Sequence, residues 1–391
     1  MAGTPVGSVV SKTNPLNYST IQTFALDASN NKIVDASANT FRDLWQRDCD
    51  CQPGSSGDTI NPYRHGMKGS WRLDKAYVNH RERTASKLLT SVGVTNIRTD
   101  GTNKGFVPFW DYVSGIWAPN PTNDVGWVRQ STASIYDFKG NQNEELDALG
   151  IYSSAQYGYQ ANLNTAVAHN TRFRQGMFEG FEDYNFDIVP GCDVLSDCSF
   201  SDHNSFGVKL SEGSGTAISS DSVAHTGKYS YRVSNNMTFG MTMTLDTNAS
   251  TAILEVASNV PYNYKSGPNA CHPSFKPSPG TYLVSGWVYT RGNCYSVQNG
   301  PYISIYQQSG TTLFQNIYPS GPVIEGWQRM YGQVTISTAT GNFQIRLVNT
   351  LNFPVYFDDI RFHPWLGNMK SFVYDPISLR LMATLDENNY A

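Results

Sequence analysis

The sequence predicts an all-β protein: a β-sandwich or jelly roll joined to an irregular, β-rich N-terminal region. Three observations carry this expectation. Aromatic residues make up 13% of the 391 residues and charged residues only 15%, a usage that favours strands over helices. A long run of segments alternates polar and apolar residues with period 2, separated by turn residues. A helical period, by contrast, surfaces in only two places.

Residues 1–174 alternate short aromatic runs with Gly, Asn and Pro turns, as in "NPYRHGMKGSWRLDKAYV", "GFVPFWDYVSGIWAPN" and "GWVRQSTASIYDFKGN". They read as short strands. The two helical exceptions are "RTASKLLTSVG" and "NQNEELDALGIYSSAQYGYQ"; in the second, Leu146, Leu149 and Tyr152 fall at helical spacing. Residues 175–365 change character and become a series of alternating segments: "SFGVKLSE", "YSYRVSN", "TFGMTMTLD", "TAILEVAS", "TYLVSGWVYT", "PYISIYQQ", "WQRMYGQVTIS", "NFQIRLVNT" and "VYFDDIRF". Strands repeated in this way build a two-sheet sandwich. Residues 366–391 fall outside that rhythm and read as a truncated tail.

The net charge is −4 and no Lys/Arg cluster occurs, so neither nucleic acid nor an anionic membrane surface is an expected partner. No stretch is long and apolar enough for direct membrane insertion. The six cysteines fall into close pairs, Cys49 and Cys51, Cys192 and Cys198, Cys271 and Cys294, with no CxxC and no zinc-finger spacing. Disulfides at Cys192, Cys198, Cys271 and Cys294 are expected rather than metal thiolates, which implies an extracellular or bacterial cell-surface location. The opening "MAGTPVGSVVSKTNP" has neither the basic nor the apolar region of a secretory signal. The chain is therefore expected to be an interior piece of a longer exported protein.

"VYFDDIRFHPW" places two adjacent carboxylates inside an apolar strand. Strand alternation puts Tyr356, Asp358, Ile360 and Phe362 on one face and Asp359 with Arg361 on the other, which excludes a convergent acid/base pair. Asp359 is then expected to be a surface charge, whereas Asp358, on an apolar face, needs a partner. Glu179, Glu182 and Asp183 in "FEGFEDYNFD" begin the same domain, and the Gly-containing turn of "SVAHTGKYSYRV" follows. First and last strands of a sandwich are often neighbours, so Glu182, Asp358 and carbonyl oxygens of the His225–Tyr229 turn are candidates to meet on a Ca²⁺ ion.

The order "GFEDY", "AHTGKYSYRV", "TYLVSGWVY", "EGWQRMYGQVTI", "VYFDDIRF" resembles carbohydrate-binding modules of the galactose-binding-like jelly-roll superfamily, over about half the chain. The resemblance implies a structural Ca²⁺ held by Glu182, by backbone oxygens from Thr226 to Lys228, and by Asp358. It also implies that Trp287 and Trp327 are core residues, which leaves Tyr289, Tyr302 and Tyr306 as candidate platforms for a sugar ring. The flanks, including "GMKGSWR" and "SFVYDPISLRLMATLDENNYA", resemble secreted surface proteins of the Bacteroidetes type in which such a region precedes YD-repeat (RHS-like) sequence. No repeat array is present in this chain, so the shell built by such repeats is not implied.

No GxSxG, HExxH, P-loop or GxGxxG motif occurs, and the histidines are dispersed. The expected function is non-catalytic: a surface or secreted protein whose partner is a glycan or another surface or assembly protein. The alternatives are an accessory module of a glycan-active enzyme whose catalysis lies in residues 1–174 or outside the chain, which carboxylates paired in an N-terminal pocket would favour, and a structural subunit or cargo, which uncovered apolar or strand-edge surfaces would favour.

Overall fold

The computed structural model describes residues 5–14, 18–27, 32–42, 69–80, 106–113, 116–119, 126–136, 140–159, 161–183, 216–219, 223–243, 275, 277–295, 300–307, 313–337 and 343–391. Among them, regular structure is almost entirely strand. The expected segments "RTASKLLTSVG", "SFGVKLSE" and "TAILEVAS" lie outside the described residues.

The N-terminal region forms a meander. Strands β1 (Pro5–Asn14), β2 (Tyr18–Asp27), β3 (Lys32–Arg42) and β4 (Arg72–Asn79) pair in sequence order. A separate hairpin of β5 (Trp110–Val113) and β6 (Ile116–Pro119) follows. The meander then resumes with β7 (Trp127–Tyr136), β8 (Gln142–Asp147), β9 (Tyr152–Gly158) and β10 (Leu163–His169).

The helix expected over 141–160 is instead the β8–β9 hairpin. Asp147 ends β8 by accepting the backbone N–H groups of Leu149 and Ile151, both at 2.8 Å, and Gly150 turns the chain at φ +81°. The helical spacing of Leu146, Leu149 and Tyr152 is thereby split, with Leu146 buried and Leu149 83% exposed.

Strand β11 (Met177–Glu179) opens the sandwich. Its larger sheet contains β11, β12 (Thr216–Ser219), β13 (Ser230–Val233), β15 (Gly280–Tyr289), β18 (Pro319–Ile324), β19 (Trp327–Ile336) and β21 (Val355–Pro364). The smaller contains β14 (Thr238–Met243), β16 (Tyr302–Gln307), β17 (Leu313–Ile317) and β20 (Phe343–Val348). Alternation supplies the core: Val284, Val288, Met330, Phe357 and Phe362 from one sheet meet Ile303, Ile305, Phe343, Ile345 and Leu347 from the other, all fully or nearly fully buried. Burying each such side chain is worth about 1.5–3 kcal/mol.

The tail joins the first sheet. After β21 the chain turns and contributes β22 (Asn368–Tyr374), which pairs with β10, and β23 (Leu381–Leu385), which pairs with β22. Ala166, Ala168, Phe178, Met369, Val373 and Leu385 form a second core where this sheet meets the sandwich. Arg361 crosses that junction. It is 1% exposed, and its guanidinium donates to the carbonyls of Met369, Leu385 and Asp386.

Candidate functional site

The two aspartates of β21 do not follow the expected alternation. Against β15, Ser285 faces Arg361 and Trp287 faces Asp358, so Gly286 alone spans the stretch in which β21 carries Asp359 and Ile360. This is a β-bulge, and Asp359 takes the left-handed φ of +48° that it needs. The extra residue shifts the phase of the strand: Val355 and Phe357 point into the sandwich core before it, Ile360 and Phe362 after it. Asp358 and Asp359 are both left on the other side, and each is fully buried. The expected surface position for Asp359 is corrected accordingly, as is the expectation that Asp358 shares a face with Ile360 and Phe362.

Both carboxylates grip the 225–229 turn. Asp358 Oδ2 accepts the backbone N–H of His225 at 2.7 Å and of Thr226 at 3.4 Å, and its Oδ1 accepts the N–H of Asp359 at 2.8 Å. Asp359 accepts the Thr226 hydroxyl at 2.9 Å and pairs with His225 Nδ1 at 2.7 Å. From the other side Glu182 Oε1 accepts the N–H groups of Lys228 and Tyr229 at 2.6 and 2.7 Å. Gly227 permits that approach: its φ is +69°, and a Cβ there would lie 2.2 Å from Glu182 Oε1.

The clasp is locked to its neighbours. His225 stacks on Trp287 with centroids 4.1 Å apart, Trp287 Nε1 donates to the Asn389 carbonyl at 2.7 Å, and Asn389 Nδ2 donates to the Asp359 carbonyl at 2.8 Å. Lys228 Nζ reaches Asp375 Oδ2 at 2.5 Å. Burial dominates the electrostatics. It raises the Glu182 carboxyl to about 8 against the pull of the Tyr229 and Lys228 N–H groups, and the Asp183 carboxyl to about 7. Asp358 is also raised well above the carboxylate range, by burial and then by its neighbour Asp359.

The residues expected to hold Ca²⁺ do come together, but not as a cation shell. The turn offers Glu182 and Asp358 its N–H groups, where Thr226 and Lys228 were expected to offer carbonyls. Both Asp358 oxygens accept N–H groups, Oδ2 from the turn and Oδ1 from Asp359. Among the described residues, no group of three His, Cys, Asp or Glu side chains is placed to hold a metal ion. Among the described side-chain oxygens of the clasp, Glu182 Oε2 and Asn389 Oδ1 are buried without a partner, and Ca²⁺ takes roughly six to eight oxygens. The residues form a hydrogen-bonded clasp at the junction of sandwich and tail.

The candidate tyrosines divide between two places. Tyr302 and Tyr306 are two residues apart on β16 and share the outward face of the smaller sheet. Across the strand pair the same face carries Gln344, Arg346 and Val348, and on β17 Asn316. The face is ordered: Tyr302 packs on Tyr318 at 5.1 Å, Arg346 sits 4.1 Å over the Tyr306 ring, and the Ser304 hydroxyl donates to Asn316 Oδ1 at 2.7 Å. Tyr289 lies in the other sheet, packed on Trp327 and Tyr356. Trp287 and Trp327 are buried as expected, 1% and 5% exposed.

Of the four expected disulfide cysteines, Cys294 is an exposed free thiol whose sulfur accepts Gln328 Nε2 at 3.4 Å, which corrects its expected pairing. Cys192, Cys198 and Cys271 lie outside the described residues. Sequence reasoning also missed the bulge. The available signal was Gly286 within a strand pattern, opposite an Asp that tolerates left-handed backbone.

No protein-family model matches the chain, and no curated protein matches it. Several solved structures share part of its arrangement. A family 16 carbohydrate-binding module is 16% identical, with a TM-score of 0.22, over 38% of this chain and 86% of its own. A family 61 module solved with β-1,4-galactotriose is 14% identical, with a TM-score of 0.22, over 38% and 82%. A family 22 xylan-binding domain is 15% identical, with a TM-score of 0.23, over 38% and 81%. The likeness is one of backbone arrangement over that share of the chain.

Proposed function

We propose that this chain is a non-catalytic, glycan-recognising part of an exported surface protein, of the type its flanking motifs resemble, and that the outward face of the smaller sandwich sheet is the binding platform. One observation carries the reading: Tyr302, Tyr306, Arg346 and Gln344 share that face on neighbouring strands. Flat rings stack on the apolar faces of pyranoses, while guanidinium and amide groups meet hydroxyls from the side. Arg346 lying over Tyr306 holds the ring in place before any ligand arrives.

The double variant Tyr302→Ala, Tyr306→Ala tests it on a glycan array. Retained glycans should weaken by about tenfold or more, since each 1.4 kcal/mol of lost stacking is a factor of ten. Unchanged retention by a folded variant would defeat the reading.

A second reading, that the chain is a structural subunit, is favoured by one separate observation. The edge strand β23 and the turn before it expose Ile377, Leu381 and Met382, at 82%, 54% and 46%. An apolar strand edge suits a protein partner better than a sugar.

A further inference from the structure

The first sheet holds a groove that neither the expected residues nor the sandwich face accounts for. It has a volume of about 450 Å³ and crosses β8, β9, β10 and β22, with Glu387 at its margin. That size lies within the range of about 300–1,000 Å³ typical of small-ligand sites. Strand register arranges its surface in two ranks. In one, Glu145, Ser153, His169 and Asn368 are successive cross-strand neighbours. In the other, Ala155, Val167 and Lys370 are neighbours, and Asn143 of β8 also lines the groove. The alternate residues Ala168 and Met369 belong to the core beneath.

Asn143 distinguishes this groove from an ordinary polar surface. It lines the groove, is only 3% exposed, and its side-chain oxygen has no hydrogen-bond partner. A buried acceptor left unpaired is costly, so a ligand that brings a donor recovers that loss. Donors and acceptors stand on both sides of a small apolar floor formed by Ala155 and Val167. No Phe, Tyr or Trp side chain lines the groove. Three carboxylates line it: Glu387 pairs with Lys370 at 3.2 Å and Glu144 with Arg172 at 3.6 Å, which leaves the Glu145 carboxylate as the surplus charge. That balance repels anions.

We infer that this groove is a second ligand site, for a short neutral saccharide whose hydroxyl donates to Asn143 Oδ1 while its apolar face rests on Ala155 and Val167. A polyhydroxylated ligand both gives and accepts hydrogen bonds, and so meets Glu145 and Ser153 as readily as Lys370. Uronic acids, sulfated sugars and phosphorylated ligands are disfavoured by the surplus carboxylate. Glu144 contributes no free group: Ser134 Oγ donates to its Oε1 at 2.6 Å, and the Phe173 N–H donates to its Oε2 at 2.8 Å. The groove is separate from the sandwich face, so either site stands if the other fails.

The test is an array of neutral and acidic oligosaccharides probed with the full chain and three variants. Val167→Trp fills the groove, His169→Ala with Asn368→Ala strips its exposed rim without touching the core, and Tyr302→Ala with Tyr306→Ala removes the sandwich face. The expected result is a set of neutral glycans whose retention falls at least tenfold in the two groove variants and is unchanged in the face variant. The inference is overturned if every retained glycan is lost with the face variant alone, if the groove-dependent ligands are acidic, or if the rim variant retains all that the parent retains. Capture of no glycan at all would remove both sites.

Discussion

Glu144 and Glu145 are neighbours on β8, Asp358 and Asp359 neighbours on β21, and the two strands treat their pairs differently. On β8 the pair is split. Glu144 turns inward, 2% exposed, to receive Ser134 and Phe173, while Glu145 is half-buried on the groove side and accepts Gln142. On β21 the bulge at Asp359 rotates the second residue toward the first, and both close on one turn. Period 2 is a property of regular pleat. One inserted residue with positive φ is enough to cancel it.

The comparison can be broken most directly at β21. Asp358→Ala strips three backbone donors of their acceptor, at about 1–3 kcal/mol each, so urea denaturation should show a loss of about 3 kcal/mol or more. Asp359→Ala should lose about 2 kcal/mol or more, since the Thr226 hydroxyl and His225 lose their partner. A change below about 0.5 kcal/mol at Asp359, the usual size of a surface substitution, would return it to the surface.

Gly227→Ala sharpens the same point through the turn. Left-handed backbone costs a non-glycine residue about 1–2 kcal/mol, and here the new Cβ would also displace Glu182. Gly150→Ala has a similar φ with nothing within 4 Å, so it should show the backbone cost alone. Equal melting temperatures for the two variants would argue against a tight Glu182 contact.

On β8 the effects should be smaller and unequal. Glu144→Ala should cost about 1–3 kcal/mol by leaving the Phe173 N–H unpaired, and Glu145→Ala within about 0.5 kcal/mol. Comparable losses at both would mean that Glu145, too, is held in the interior.

The remaining effect is in the pH profile. Glu182 titrates near 8 in the folded chain and near 4.5 unfolded, and Asp183 near 7 against 3.8, so the folded state holds protons that the unfolded state releases. Their contribution is full below the unfolded values and is lost as pH rises through the folded ones. His363 works in the opposite direction: burial lowers it to about 4, so its contribution is present above 6.5 and lost as pH falls. Between pH 6.5 and 8 the carboxylates act alone, and stability should decline with rising pH by at most about 1.4 kcal/mol per unit for each group. Glu182→Gln should flatten that slope. Chelator should leave the parent's melting temperature unchanged, and a drop on chelation would restore the Ca²⁺ shell.

Much of the sandwich was legible because its strands advertise themselves locally. "TYLVSGWVYT", "PYISIYQQ", "WQRMYGQVTIS" and "NFQIRLVNT" alternate cleanly and become β15, β16, β19 and β20. The grouping of Glu182, Asp358 and the 225–229 turn was legible as well, though its chemistry was inverted: which way a turn points its N–H groups depends on backbone dihedrals that side-chain identity barely constrains. The β8–β9 hairpin was hidden, because Leu146, Leu149 and Tyr152 satisfy a helical period by coincidence. Asp147 and Gly150 decide the matter locally.

By itself the sequence determined the all-β class and the convergence of distant carboxylates, since each follows from residue type and the order of alternating segments. Only the tertiary structure decided that the tail strands complete the first sheet, that Asp359 turns inward, and that Asn143 is left with an unpaired oxygen in a groove. These depend on which strands become neighbours across hundreds of residues and where a single bulge shifts their phase. Such pairings are settled by packing of the whole chain, and no local pattern records them.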